Sequence, residues 1–355
     1  MINFSDIFGD DKKRKGKGKD SHHIDFSSLD NEEESSLKDG AKIPADKNIK
    51  FSDPGTKLKR VSPREKKEIE DLYRKSVSLA ERVFNSEKEI KTSEIDEIKK
   101  LSEILVGYSR NGSQELFEYI FGRLPYDVDF MILNLVNVCI LAIEVGVGLG
   151  YSDHELINIG IGAFLHDIGM NKYRSLFSQP RGLTPQEKKK IQNHPLDGVN
   201  QLKFIHQLLE PLTLRIVEQE HERMDGSGYP YGLKADNIDE YAQIVGMVDV
   251  YEALTHKRSY RNSYSPMEAI KIILQDKTSF SPKILKAFLE KVGLYPKGTF
   301  VELNTKEIAQ VINQTPKMPS CPVVGIVYDY EGKKVDTEKI IDLSKNTKIY
   351  ITKSL

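Results

Sequence analysis

The amino-acid sequence predicts an all-α helical bundle, with a helical N-terminal region ahead of it and a small β-containing C-terminal tail behind. Two observations predict this. Helix-start signals of one kind recur through the middle of the chain: Ser152-x-x-Glu155, Thr184-Pro185-x-Glu187 and Ser265-Pro266-x-Glu268 each place a hydroxyl three residues before a glutamate. That is the reciprocal cap that satisfies the unpaired amides of a first helical turn, and Ser281-Pro282 opens another helix with proline at the first position. From about Gly293 the pattern changes to short runs rich in β-branched residues.

Taken in order, residues 1–60 are rich in Lys, Asp, Ser, Glu and Gly with few clustered hydrophobic residues, and are expected to form a disordered charged leader. A helical N-terminal region follows over residues 61–125. Ser62-Pro63-Arg64-Glu65 starts a long helix through Leu72, Val77, Leu79 and Val83; a second runs from about Glu94 to Tyr108, where Asn111-Gly112 stops it; a third, short one carries Leu116, Phe117 and Phe121. The main domain is expected over residues 126–292. In it, the helix from Asp153 ends at His166-Asp167 with Gly169 as its C-cap residue. The tail, residues 293–355, has β-type runs at Val301 and Leu303, Ile308 to Ile312, Val323 to Tyr330 and Ile349 to Ile351, with a hairpin turn at Glu331-Gly332.

The 355 residues suffice for about two or three domains. A formal net charge of −1 gives no reason to expect nucleic acid, and the basic run from Lys12 to Lys19 is followed by acidic residues that cancel it. Two cysteines, Cys139 in an apolar helical pattern and Cys321 beside prolines, make no disulfide framework and imply a reducing compartment. The stretch Phe130 to Gly150 is apolar enough to mimic a membrane span, yet Asn134, Asn137 and Glu144 interrupt it and glycines crowd its end, so a buried core helix is expected. No signal peptide is visible. The expectation is a cytoplasmic protein without membrane insertion.

The chemistry-bearing stretch is Glu220-His221-Glu222-Arg223-Met224-Asp225-Gly226-Ser227-Gly228-Tyr229-Pro230. A histidine and two carboxylates end an apolar helical run, and a glycine-rich loop with a proline exit follows. Upstream lie His166-Asp167-Ile168-Gly169 and His194-Pro195; downstream lies Asp249, in Val248-Asp249-Val250-Tyr251-Glu252. Taken singly, His194 reads as a turn residue and Asp249 as a buried helix acid. Together, in this order, these residues resemble the HD-GYP family of bacterial metal-dependent phosphodiesterases that act on cyclic di-GMP. The resemblance covers roughly the middle and last thirds of the chain.

The resemblance implies an HD-type bundle and a centre of two or more transition-metal ions, iron or manganese. Imidazoles and carboxylates from several helices suit such a centre, and His166, Asp167, His194, Glu220, His221 and Asp249 supply them at nearly equal intervals. Asp167 would bridge the metals and polarise the attacking water. Gly228 and Tyr229 of the loop, with Arg258, Tyr260 and Arg261 further on, would contact substrate, since arginine suits bidentate phosphate or guanine contact and an aromatic ring can stack on a base. Cyclic di-GMP is the implied ligand, and the loop could also dock a diguanylate cyclase domain. His22, His23, His154, His206 and His256 have no motif context and are read as structural or solvent-exposed.

Four positions depart from the family pattern. Asn134 stands where the family has a histidine ligand, Met170 where it has a phosphate-facing lysine, Glu220 where it has the first of two histidines, and Glu252 where it has the second acid after the final ligand. Losing one charge-assisted hydrogen bond to phosphate costs about 1.5–3 kcal/mol, or about ten- to a hundredfold. The expectation is therefore a hydrolase of cyclic di-GMP, with three alternatives left open: a catalytically weakened protein that binds the nucleotide, one that binds a signalling partner, and a hydrolase of another nucleotide or phosphate ester.

Overall fold

The computed structural model describes residues 62–86, 90–122, 128–179, 181–256, 263–276, 278–315, 318–335 and 339–355. The expected leader, and with it His22 and His23, lies outside the described residues.

Three helices begin the described chain. Helix α1, Pro63–Phe84, starts where Ser62 Oγ accepts the Glu65 amide at 3.1 Å. Helix α2, Thr92–Arg110, ends at Asn111 with Gly112 in the left-handed region, and α3 is the short Phe117–Phe121. The apolar stretch then forms α4, Phe130–Leu149, long and apolar enough to cross a membrane but mostly buried inside the protein. It is the central strut, with α1, α2, α5 (Asp153–Leu165), α10 (Glu240–Thr255) and α12 (Pro282–Lys291) packed against it. Between α5 and α10 the chain runs through a 3₁₀ turn, Ile168–Tyr173, then α6 (Arg174–Phe177), α7 (Pro185–Ile191), α8 (His194–Leu202) and α9 (Pro211–Gln219). Helix α11 is Pro266–Gln275. The three reciprocal caps expected at Ser152, Thr184 and Ser265 all form.

The chain is not strictly all-α. Beyond α12 the strands β1 (Phe300–Leu303), β2 (Ile308–Asn313), β3 (Val323–Tyr328), β4 (Ile340–Asp342) and β5 (Ile351–Ser354) form one antiparallel sheet in the order β4-β3-β2-β1-β5. Burial alternates along β1 and β2, as expected of strands with one face on a core. The sequence reading missed β4, which has three residues and is held by its pairing to β3. It also placed the last strand early, because Ile349 is a buried core residue just outside it. Just before β1, Lys297 Nζ lies 3.1 Å from Glu115 Oε1 and 3.3 Å from Glu118 Oε1, the second of them on α3.

One cap expectation is corrected. Gly169 is not in the left-handed region; α5 ends at Leu165 and the chain continues with His166 in helical geometry. Gly169 is instead a point of close approach. A Cβ there would lie 2.1 Å from the carbonyl oxygen of His194 and 2.6 Å from the Gly198 nitrogen. Only glycine allows the 3₁₀ turn to sit against the start of α8, which brings His194 to His166-Asp167.

Candidate metal centre

The ends of four elements and the middle of a fifth meet at the site. His166 caps α5, Asp167 leads into the 3₁₀ turn, His194 begins α8, Glu220 and His221 follow α9, and Asp249 lies within α10. Their ligand-type atoms fall in two groups, Asp167, His194, Glu220 and His221 in one and His166, Asp167 and Asp249 in the other, with the atoms of each group within 4.8 Å of one another. Asp167 belongs to both. The structure thus brings together all six residues read from the sequence as ligands. Among them, His194 is fully buried, unlike an isolated surface turn residue.

The tautomers follow from the carbonyls nearby. His166 Nδ1 lies 2.7 Å from Ala163 O and His194 Nδ1 lies 2.9 Å from Ile191 O; a carbonyl accepts, so each Nδ1 donates. In the neutral ring Nε2 then carries a lone pair and points into the cluster. His166 Nε2 is 3.5 Å from Asp167 Oδ2 and 3.6 Å from Asp249 Oδ1. His194 Nε2 is 3.0 Å from Asp167 Oδ1, 3.0 Å from His221 Nε2 and 3.8 Å from Glu220 Oε1, which itself lies 2.8 Å from His221 Nε2.

These residues fit a cation. Asp167 Oδ1, both oxygens of Glu220 and His166 Nε2 are buried without a hydrogen-bond partner among the described residues. With His194 neutral and its one proton committed to Ile191, Asp167 Oδ1 receives no hydrogen bond from it despite the short distance. Three carboxylates facing lone pairs in a buried pocket cost several kcal/mol per charge unless positive charge lies among them. The titration behaviour has the same cause. Burial pulls the His166 imidazole down, but Asp167, Asp249 and Glu220 outweigh it and raise it to about 10. His194 is likewise lowered by burial and raised by Asp167 and Glu220, to about 9. A pocket that draws protons so strongly draws cations for the same reason, and the two compete.

The loop after the cluster is built against it. Tyr229 stacks on His221, ring centroids 4.6 Å apart at 25°, and meets His194 edge-on at 6.1 Å. Gly228 packs on the ligand segment itself: a Cβ would lie 2.4 Å from the Arg223 nitrogen and 2.5 Å from His221 O. The buried Glu222 holds the loop's far arm, accepting from the Tyr231 amide at 2.7 Å and the Leu233 amide at 2.8 Å. The sequence pattern assigns Glu222 no role of its own; its signal is a carboxylate between a ligand and a glycine-rich loop.

The departures also have defined places. Met170 is buried in the 3₁₀ turn as part of the apolar core. Asn134 is buried on α4 and donates its amide to Asp249 Oδ1 at 2.9 Å and Glu252 Oε2 at 2.8 Å. Glu220 is fully buried within the first group. Arg258, Tyr260 and Arg261 lie outside the described residues. His154 and His206 are exposed, while His256 is half-buried and spans Glu252 and the Ile120 carbonyl.

Comparison with known proteins accords with this geometry. Residues 125–284 match the family described as HD domain, and residues 300–355 match a KOW domain associated with HD domain. The chain is 30% identical over 224 residues to the cyclic di-GMP phosphodiesterase PA4108 of Pseudomonas aeruginosa, covering 63% of this chain and 54% of that one. It is 26% identical over 217 residues to the cyclic di-GMP phosphodiesterase PdeB of Borreliella burgdorferi, covering 60% of this chain and 56% of the relative. In these two alignments the chain spans little more than half the length of the relatives. Among solved structures, Bd1817, a HDG"Y"P protein from Bdellovibrio bacteriovorus, has the same fold with a TM-score of 0.52 at 18% identity, covering 66% of this chain and 73% of that one. By these sequence matches, the chain belongs to the HD-GYP family.

Proposed function

We propose that this chain is a metal-dependent phosphodiesterase that hydrolyses cyclic di-GMP in the cytoplasm, with residues 126–292 as its catalytic body, residues 61–125 and 293–355 as helical and β-rich flanks, and 1–60 as a charged leader. The observation that carries the reading is the shared carboxylate: Asp167 Oδ1 faces His194 and His221 while Oδ2 faces His166. Two or more transition ions bound there, iron or manganese on this mixed nitrogen and oxygen ligand set, would neutralise phosphoryl charge and generate a nucleophile from water near neutral pH.

The chain's own residues divide the rest. Asp167 is the catalytic residue, placed where both ligand groups and the reacting phosphate meet. His166 and His194 present Nε2 with their rings locked by backbone carbonyls. Glu220 and Asp249 add oxygen donors. Tyr229, stacked on His221, shields that imidazole and closes one wall against water, and with Gly228 it borders the substrate. Arg258, Tyr260 and Arg261 are assigned to phosphate and guanine.

A second reading rests on Asn134 and Met170. Asn134 spends its amide on Asp249 and Glu252, and Met170 offers no charge to a phosphate. These favour a protein that holds cyclic di-GMP, or a diguanylate cyclase domain through the Gly228–Pro230 loop, with little turnover. Binding and cleavage of cyclic di-GMP, measured side by side on the metal-loaded chain, separate the two. Cleavage that Asp167→Ala abolishes supports the hydrolase; nucleotide bound and left intact supports the nucleotide binder; neither binding nor cleavage overturns both of these and leaves the docking role.

A further inference from the structure

A buried polar network surrounds Asp249 that the hydrolase reading leaves unused. Glu252 lies one turn beyond Asp249 on α10 and is 1% exposed. Its Oε2 accepts from Asn134 Nδ2 at 2.8 Å, and its Oε1 accepts from Asn137 Nδ2 at 3.0 Å. The same Asn134 amide donates to Asp249 Oδ1 at 2.9 Å. Two acids three apart on α10 therefore face two amides three apart on α4, a register that helical spacing produces on facing helices.

The outer ends of the network lie on the N-terminal helices. Asn137 Oδ1 accepts from the hydroxyl of Tyr73, at 2.9 Å, and Tyr73 is fully buried on α1. His256 Nδ1 is 3.2 Å from Glu252 Oε1, and its Nε2 lies 2.8 Å from the Ile120 carbonyl on α3.

The orientation of Asn134 is dictated by the acids. Its Oδ1 is buried without a partner among the described residues, so its own oxygen does not fix the side chain. Turned over, the amide would set that oxygen against two carboxylates, which is repulsive. Glu252 therefore decides which atom Asn134 offers to Asp249, and that charge-assisted bond fixes how the Asp249 carboxylate is presented.

We propose that Glu252, acting through Asn134, is the positioning residue that orients Asp249 for the cation group of His166, Asp167 and Asp249, and that Asn137 and Tyr73 tie this orientation to helix α1. The proposal rests on the reading that the site holds metal. It makes the N-terminal helices part of the metal centre's support: a shift of α1 relative to α4 reaches Asp249 through three hydrogen-bonded side chains.

The test is a titration of the metal-free full chain with Mn²⁺, followed by calorimetry and elemental analysis, with the thermal midpoint of each metal-free variant measured alongside. Glu252→Gln puts an amide N–H where an acceptor is required. It is expected to weaken one Mn²⁺ site at least tenfold while the other stays within twofold. Tyr73→Phe is expected to weaken the same site about threefold. In an Asp249→Asn background Glu252→Gln should add nothing, which identifies the site affected. A lowered midpoint with both Mn²⁺ constants unchanged would show a merely structural role and overturn the proposal, as would additive effects with Asp249→Asn. If Glu252→Gln does not fold, Asn134→Ala carries the same test with the same expected loss. A wild-type chain that takes up no Mn²⁺ removes the metal reading and the proposal with it, and is told apart from the other failures by the wild-type titration alone.

Discussion

His194 and His221 hold their Nε2 atoms 3.0 Å apart with their rings at 89°. His194 gives its only neutral-form proton to Ile191 O, so its Nε2 faces the neighbouring imidazole and the Asp167 carboxylate as a lone pair. Something positive belongs in that space, either a proton or a metal, and the two leave opposite signatures in pH.

In the metal-free chain His166 and His194 titrate near 10 and 9, above the ordinary 6.5, because the clustered carboxylates outweigh burial. A histidine raised on folding contributes stability that is fully present below about 6.5 and lost as pH rises through its folded value. The metal-free thermal midpoint should therefore fall from about pH 6.5 to about pH 10. Metal affinity should rise over the same window, since the ligands must be deprotonated. Thermal scans at fixed ionic strength, with and without metal, check both; a metal-free midpoint flat from pH 7 to 10 would contradict the arrangement.

Gly169→Ala tests whether close approach, and not a helix cap, is what that glycine supplies. The added methyl meets the His194 carbonyl, which is backbone and cannot yield. The variant should lose about 1–3 kcal/mol of stability and bind metal more weakly. An alanine variant with wild-type stability and metal content would show that close approach is not what Gly169 supplies.

Much of the site was legible in the sequence, and what was missed has physical reasons. His166, Asp167, His194, His221 and Asp249 could be read because a metal centre calls for those residue types and because their order resembles that of the HD-GYP family. Asn134 was read only as a departure from a histidine ligand; the structure shows it as a donor to Asp249 and Glu252, a role set by a facing helix that local sequence does not reveal. Asn137 carried a usable signal, a second amide three residues on along an apolar helix, whereas Tyr73 lies 64 residues from Asn137 and carried none. The sheet was read apart from β4, whose few residues depend on a partner strand.

Glu222→Gln should loosen the loop without emptying the metal site. Its carboxylate accepts the Tyr231 and Leu233 amides with separate oxygens, and a glutamine can accept only one of them. The loss is of order 1.5–3 kcal/mol locally. Hydrogen exchange at Tyr231 and Leu233 should accelerate while metal content stays the same; unchanged exchange would show that the loop is held by other contacts.

Glu144 gives a prediction away from the site. Burial on α4 raises its carboxyl to about 7, against the counteracting Lys291 ammonium 3.9 Å away. A carboxyl raised on folding lowers stability as pH climbs from about 4.5 to 7, because the unfolded chain ionises first. Glu144→Gln removes that slope. The variant should match wild type near pH 4 and exceed it by about 2–3 kcal/mol above pH 7; denaturant midpoints across that range decide it, and a constant offset at every pH would be the contrary result.

The central claim is that Asp167 is shared by two cation groups, and elemental analysis of the chain purified without chelators tests it most directly. About two equivalents of iron or manganese per chain are expected in wild type. Asp167→Ala is expected to lose most of that metal from both groups, with the fold retained. A wild-type chain without transition metal, or an Asp167→Ala chain that keeps its full complement, would contradict it.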